Sequence, residues 1–197
     1  MKKMPRLTHL IVIGLLSLLT NPCWAASYSL DQAHSSIGFS IKHLMVSTLR
    51  GSFADAAGTI EFDPTALETF KATVTIQATS IDTNNEKRDN HLRSADFFDV
   101  ANHPAITFMG KSLKKNGDSY LIVGDLTLLD VTKEISIPCG IQGPIQMPSG
   151  GQAIGISGQT TINRKDFGMA WNKSMDQGGL VVGEDVAIDV NIEAHQQ

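Results

Sequence analysis

The segment 34–53 constrains the fold more than any other part of the chain, because its side chains alternate between apolar and polar. Ile37, Phe39 and Ile41 fall on one side of an extended strand, whereas serines and a lysine fall on the other. Successive side chains of a strand point to opposite faces, so this pattern predicts one buried face and one solvated face. His43 continues the apolar face where another aliphatic residue would be expected. An apolar wall that ends in an imidazole suits a protein that holds an apolar ligand by its tail and fixes its polar head.

Strand-like segments also dominate the rest of the chain, and Asn116-Gly117 between two of them predicts a tight hairpin because both positions favour positive φ. The predicted strands are 35–44, 48–54, 57–63, 71–79, 105–113, 119–129, 133–142, 152–163 and 185–194. So many short antiparallel strands predict either a sandwich or a closed barrel. We favour an all-β, eight-stranded antiparallel barrel, because pairing the segment 34–53 with 185–194 would protect both sheet edges.

One short helix is predicted at about residues 84–94. Thr83 and Glu86 have the spacing of a capping box, in which each side chain satisfies a backbone N–H at the start of a helix. Asp89 and Arg93 follow at the spacing and in the order that favour a helical ion pair.

The first 25 residues have the pattern of a secretory signal peptide. Three basic residues precede a short apolar run, and Asn21-Pro22 ends that run shortly before Ala25, after which we predict cleavage. The apolar run is shorter than the roughly 20 residues that span a bilayer, so we predict no stable membrane insertion. The chain is therefore expected to comprise a signal peptide at 1–25 and one periplasmic domain at 26–197.

Charge and cysteine content exclude several classes of function. The whole chain has a formal net charge of −4, and removal of Lys2, Lys3 and Arg6 with the signal peptide takes it to −7. This acidic balance argues against binding to nucleic acid. Cys139 would be the single cysteine after cleavage, so no intrachain disulfide is expected, and its apolar neighbours predict a buried, unreactive thiol.

No local motif indicates catalysis, a cofactor or a metal. The histidines of the segment 26–197 form no HxxxH or HxH pair and there is no CxxC, so no metal-ligand set is predicted. The chain also lacks a GxSxG elbow and a glycine-rich phosphate loop. We therefore predict that the protein is not an enzyme and that it has no cofactor.

Four segments together resemble the YceI family of bacterial exported proteins. They are the segment 34–53, SIDTNNEKRDNHLRSADFFDVANHPAITF at 80–108, GDLTLLDVTKEISI at 124–137 and NRKDFGMAWN at 163–172. They occur in the same order as in the family and cover essentially the whole mature chain. The resemblance implies a lipocalin-like antiparallel barrel that encloses a long polyisoprenoid or a similar amphipathic chain.

The candidate lumen residues are apolar residues in the inward phase of the predicted strands, together with aromatic residues near one barrel end. Alternation alone would suit an ordinary packed core equally well, and the family resemblance is what favours a ligand-binding lumen. The candidates are Ile37, Phe39, Ile41, His43, Val74, Ile76, Phe97, Phe98, Ile106, Phe108, Leu126, Leu128, Ile154, Ile156, Phe167 and Trp171.

Three residues are candidates for binding the ligand's head group, namely His43, Arg88 and His91. A neutral imidazole such as His43 can donate with one nitrogen and accept with the other. Arg88 and His91 lie three residues apart and would share a helix face that could bind an anionic head group. The alternative for His43 is a structural histidine in the core or at the barrel rim. For the helix, the alternatives are an ordinary solvated face and a structural lid that Leu92, Phe97 and Phe98 pack over one barrel end.

The function implied by the resemblance is a periplasmic binding or carrier protein for a long-chain isoprenoid lipid. Two alternatives stay open. The first is an accessory to membrane redox chemistry that binds an isoprenoid quinone, since some family relatives are associated with b-type cytochromes. The second is a structural or partner-binding barrel with a filled core. Association into a homodimer also stays open.

Overall fold

The computed structural model describes residues 25–174 and 180–197, so the predicted signal peptide falls, apart from Ala25, outside the described residues. The described part is built almost entirely of β-strands. No helix within it is long and apolar enough to cross a membrane. The elements are β1 (Ala26–Leu30), β2 (Ser36–His43), β3 (Ser47–Phe53), β4 (Ala56–Phe62), β5 (Lys71–Gln77), β6 (Ile81–Asp82), α1 (Glu86–Arg93), β7 (Ala105–Asn116), β8 (Ser119–Leu128), β9 (Val131–Gln146), β10 (Gln152–Asn163) and β11 (Val182–Gln196).

The strands form a closed antiparallel barrel with eight walls. Both β1 and β2 pair with β11, so together they act as one long strand that is interrupted at residues 32–34. In the same way, β3 and β4 together form the second wall, and β5 and β6 together form the third. The strands β7 to β11 form the remaining five walls. The pairing of β1 with β4 on one side and β11 on the other closes the sheet. The predicted eight-stranded antiparallel barrel is confirmed.

The segment 34–53 occupies the place that its alternation predicted. Its first strand, β2, pairs with β11 so that Ile37 lies opposite Val190 and Phe39 lies opposite Ile188. The chain then turns back as β3, which pairs with β2 along its length. Apolar residues therefore face each other across the β2–β11 seam on the inner side of the barrel.

Strand β1 was not predicted from the sequence. Its five residues follow directly after the predicted cleavage site and give too short a pattern to recognise alternation. Tyr28 at its centre is nevertheless fully buried, opposite Ile60 of β4 and Gln196 of β11. This short strand thus completes the hydrogen-bonded ring at one end of the barrel.

The predicted capping box of the helix is wrong. The N-cap of α1 is Asn85, whose side-chain oxygen accepts a hydrogen bond from the backbone N–H of Arg88 at 3.0 Å. Thr83 lies two residues before the cap and is buried, and both its backbone N–H and its hydroxyl donate to the Asp89 carboxylate. Asp89 therefore serves to attach the helix to the preceding strand.

The predicted ion pair between Asp89 and Arg93 is also wrong, because Asp89 is turned inward to Thr83. The Arg93 guanidinium instead donates to the backbone oxygens of Thr79 and Ile81, at 2.8 Å and 2.7 Å. These bonds tie the last turn of α1 to the segment that leads into β6.

The two ends of the barrel differ. The end where β1 joins β4 and β11 is packed solid with buried side chains, and we call it the filled end; its residues include Tyr28, Phe62, Phe70, Ile154 and Ala194. At the opposite end, α1, the segment 95–104 and the segment 164–174 lie over the barrel opening, and we call this the covered end. Leu92, Phe97, Phe98 and Trp171 pack inward there.

Candidate ligand-binding cavity

A cavity of about 360 Å³ lies inside the barrel between the filled end and the covered end. Its volume falls in the range of about 300–1,000 Å³ that is typical of small-molecule sites. The inward-facing side chains of the wall strands form most of its surface. Among the described residues that line it, the polar side chains are Lys42, His43, Thr160, Arg164, Arg88 and His91, and the others are apolar residues or glycine.

Most of the candidate lumen residues lie around this cavity. Because strand geometry sends every second side chain inward, residues far apart in the sequence meet on one surface. The candidates that line it are Ile37, Phe39, Ile41, His43, Val74, Ile76, Phe97, Phe98, Ile106, Phe108, Leu126, Leu128, Ile156 and Trp171.

Two candidate lumen residues, Ile154 and Phe167, do not line the cavity, and each is only 2% exposed. Ile154 does point inward, but it lies two residues nearer the filled end than Ile156 and is enclosed by that packing. Phe167 belongs to the 3-10 turn Arg164–Phe167 that follows β10, where strand alternation no longer determines the direction of a side chain. Both residues belong to the packed core.

Aromatic side chains join the segments of the covered end. The ring of Trp171 lies 4.9 Å from that of His91 and 5.1 Å from that of Phe97, and the His91 and Phe97 rings are 5.0 Å apart. Phe98 also contacts Phe53 of β3, edge to face at 5.6 Å. These contacts hold α1 and its neighbouring segments against the barrel wall.

All three head-group candidates lie at the cavity, with different partners. His43 is the last residue of β2 and lines the cavity. Arg88 donates two hydrogen bonds of 2.7 Å to the hydroxyl and the backbone oxygen of Thr83. The His91 Nε2 lies 2.8 Å from a carboxylate oxygen of Asp96. That these residues bind a head group stays a prediction.

The family follows from a comparison with known proteins. The family model of the YceI-like domain matches residues 28–194, which begin within β1 and end within β11. The chain belongs to the YceI family. The resemblance predicted from the four segments is thereby confirmed.

Relatives match this YceI-like protein over most of its length. A UPF0312 protein of Staphylococcus aureus strain N315 is 40% identical over 168 residues, covering 85% of this chain and 96% of the relative. The crystal structure of a Campylobacter jejuni YceI protein superimposes with a TM-score of 0.67 at 36% identity, covering 85% of this chain and 96% of that one. A polyisoprenoid binding domain from Saccharophagus degradans has a TM-score of 0.67 at 18% identity, covering 87% and 99% of the two chains, which supports the fold alone.

Sequence reasoning missed Arg164, which lines the cavity although it is only 2% exposed. Its Nε donates to the backbone oxygen of Gly183 at 2.8 Å and its Nη1 to that of Met169 at 2.6 Å. Its Nη2 is buried and has no hydrogen-bond partner within the described residues. Burial lowers the pKa of this guanidinium, and the charge of Glu184 partly opposes that effect.

The signal that could have identified Arg164 is present in the sequence. Ile154, Ile156 and Ile162 share the inward phase of β10, and Arg164 continues that phase by two residues, as His43 continues the inward phase of β2.

A separate polar cluster lies away from the cavity, where β1 and β2 meet β11. Ligand-type atoms of Asp31, His34 and Glu193 lie within 4.8 Å of one another there. Hydrogen bonding to His34 lowers the pKa of Asp31, and the same bond raises the pKa of His34. His195 Nε2 adds a 2.8 Å contact to Glu193. Local motifs could not predict this grouping, because its members come from opposite ends of the domain.

Proposed function

We propose that this YceI-like protein binds a polyisoprenoid or a similar long-chain amphipathic lipid inside the barrel and acts as a carrier without a chemical step. The observation that carries the proposal is the apolar cavity between the filled end and the covered end. Each methylene group moved from water into such surroundings contributes about 0.8 kcal/mol. A long hydrocarbon tail therefore needs only an apolar wall of suitable shape for most of its affinity.

The distribution of polar groups supports one orientation of the ligand. Lys42, His43, Arg88, His91 and Arg164 come from the strand ends and covering segments at the covered end. The wall toward the filled end is formed by residues such as Phe70, Ile122 and Ile192. The tail is expected to extend toward the filled end and the head group to stay beneath the cover.

Two further points support the proposal. The Saccharophagus degradans neighbour is described as a polyisoprenoid binding domain, and it has the same barrel. Residues 1–25 have the pattern of a secretory signal, so we propose that the carrier acts in the periplasm. N-terminal sequencing of the protein from a periplasmic fraction is expected to begin at Ala26, and an intact N-terminus in the cytoplasmic fraction would contradict the proposed location.

A fluorescence titration tests the binding function. A protein that starts at Ala26 has Trp171 as its single tryptophan, and this residue lines the cavity. After extraction of bound lipid, a long-chain polyene fatty acid is expected to quench the Trp171 emission saturably and with one ligand per protein. Quenching that rises linearly without saturation, or no quenching at all, would refute the proposed function.

A further inference from the structure

The ionisable residues that line the cavity are all of the basic type. Within the described part of the chain they are Lys42, His43, Arg88, His91 and Arg164, and they include no aspartate or glutamate. The chain as a whole is acidic, with a formal net charge of −4. Basic groups are thus concentrated at the cavity of a protein whose overall charge is negative.

The three permanent cations among these residues are bonded to neutral oxygen atoms. Lys42 Nζ donates to the Thr48 hydroxyl at 3.1 Å, and Arg88 donates to Thr83. The ion pairs of lysine in the described residues involve Lys71, Lys111 and Lys165, none of which lines the cavity. The cavity cations therefore have no carboxylate counter-ion of their own among these residues.

Arg164 is the most deeply buried of the cavity cations. Its guanidinium is buried, its hydrogen bonds go to backbone oxygens, and its Nη2 has no partner among the described residues. Glu184, whose charge acts on Arg164, is itself ion-paired with Lys165. A buried charge is costly unless an opposite charge or good hydrogen bonds compensate for it. The electrostatic attraction between a buried charge and an opposite charge is also screened less inside a protein than in water.

We propose that the amphiphile bound in this cavity has an anionic head group, a carboxylate or a phosphate, which Arg164 neutralises together with Arg88. Lys42 lies on the exposed, polar face of β2, so no contact with the head group is assigned to it. This inference rests on the proposed function and narrows it to one class of lipid. Both head groups offer anionic oxygens that form charge-assisted hydrogen bonds with guanidinium and ammonium groups.

The first test compares four ligands that share one alkyl chain. Dodecanoic acid, dodecyl phosphate, methyl dodecanoate and dodecanol each compete with the polyene probe for the wild-type protein at neutral pH. We expect at least one of the two anions to bind about tenfold or more tightly than the ester and the alcohol, as the loss of a charged hydrogen-bond partner implies. The tighter of the two anions identifies the head group.

The second test measures the acid-to-alcohol affinity ratio in variants. Arg164→Met and Arg88→Gln are expected to lower the ratio, because each should weaken binding of the anion more than binding of dodecanol. Lys114→Gln removes an exposed positive charge that does not line the cavity, so it should keep the wild-type ratio. A purely structural role of Arg164 would weaken binding of all four ligands equally.

The outcomes separate the two claims. Arg164 also holds the turn after β10. If Arg164→Met does not fold, the wild-type comparison and the Arg88→Gln variant still test the proposal. Equal affinity of the wild type for anions, ester and alcohol would overturn the anionic head group and leave the lipid-binding function intact. Failure of all four ligands and of the polyene probe to bind would overturn both.

Discussion

Two neighbouring isoleucines of β10 distinguish a cavity wall from a packed core. Ile154 and Ile156 point to the same side of the strand and both are buried, but only Ile156 lines the cavity. We expect Ile156→Phe to extend into the cavity, to reduce lipid uptake and to leave the free energy of unfolding nearly unchanged. Polyene titration and urea denaturation of each variant measure these two effects.

Ile154→Phe is the matched control for that substitution. Extra methylene groups in a well-packed core usually cost about 1–3 kcal/mol of stability, so this variant should unfold more easily while retaining lipid uptake. If the two variants lost equal stability and bound lipid equally well, the distinction between cavity and core at these positions would be wrong.

The Cys139 thiol predicts a pH dependence of stability. Burial raises the pKa of this thiol from an ordinary value of 9.0 to about 11. The unfolded chain therefore releases the thiol proton at lower pH than the native protein does, so the free energy of unfolding should fall as pH rises from about 9 to about 11. Urea denaturation across this range is expected to show a shallower decline in Cys139→Ala than in the wild type. Parallel curves would contradict a buried, protonated thiol.

At the scale of elements, the attachment of α1 depends on Asp89 more than on its surface charges. Asp89→Ala would leave the buried N–H and hydroxyl of Thr83 without their acceptor, and such a loss typically costs about 1–3 kcal/mol. Glu86, the acid of the predicted capping box, is exposed, so Glu86→Ala should change stability by no more than about 0.5 kcal/mol. Chemical denaturation compares the two variants, and a larger loss of stability in Glu86→Ala than in Asp89→Ala would contradict this assignment.

The sequence predicted the strands well because a period of two residues is set by strand geometry itself and recurs in every wall of the barrel. Nine strands could be located in this way. The closure of the sheet into a barrel followed from the need to protect its edges. The N-cap of α1 could not be predicted in this way, because Thr83 and Asn85 are both good N-cap residues. The choice between them depends on the tertiary contact of Thr83 with Asp89. Arg164 was missed because a buried cation is unusual at a position where alternation favours an apolar side chain.

At the scale of the whole molecule, the barrel is asymmetric along its axis. The filled end is closed by the packing around Tyr28 and Phe70, whereas the covered end is closed by one short helix and two loop segments. A ligand that enters the cavity is therefore expected to pass the covered end, where the contacts of Trp171 with His91 and Phe97 would have to separate.

Native mass spectrometry of the protein purified from its own host tests the lipid-carrier account most directly. The spectrum is expected to show the chain that begins at Ala26 with one bound molecule, and organic extraction should release a long-chain amphiphile and shift the protein to its unliganded mass. A quinone in the extract would favour the redox accessory over a carrier of anionic lipid. The account would be contradicted by an unliganded mass alone, together with a crystal structure in which side chains fill the interior of the barrel.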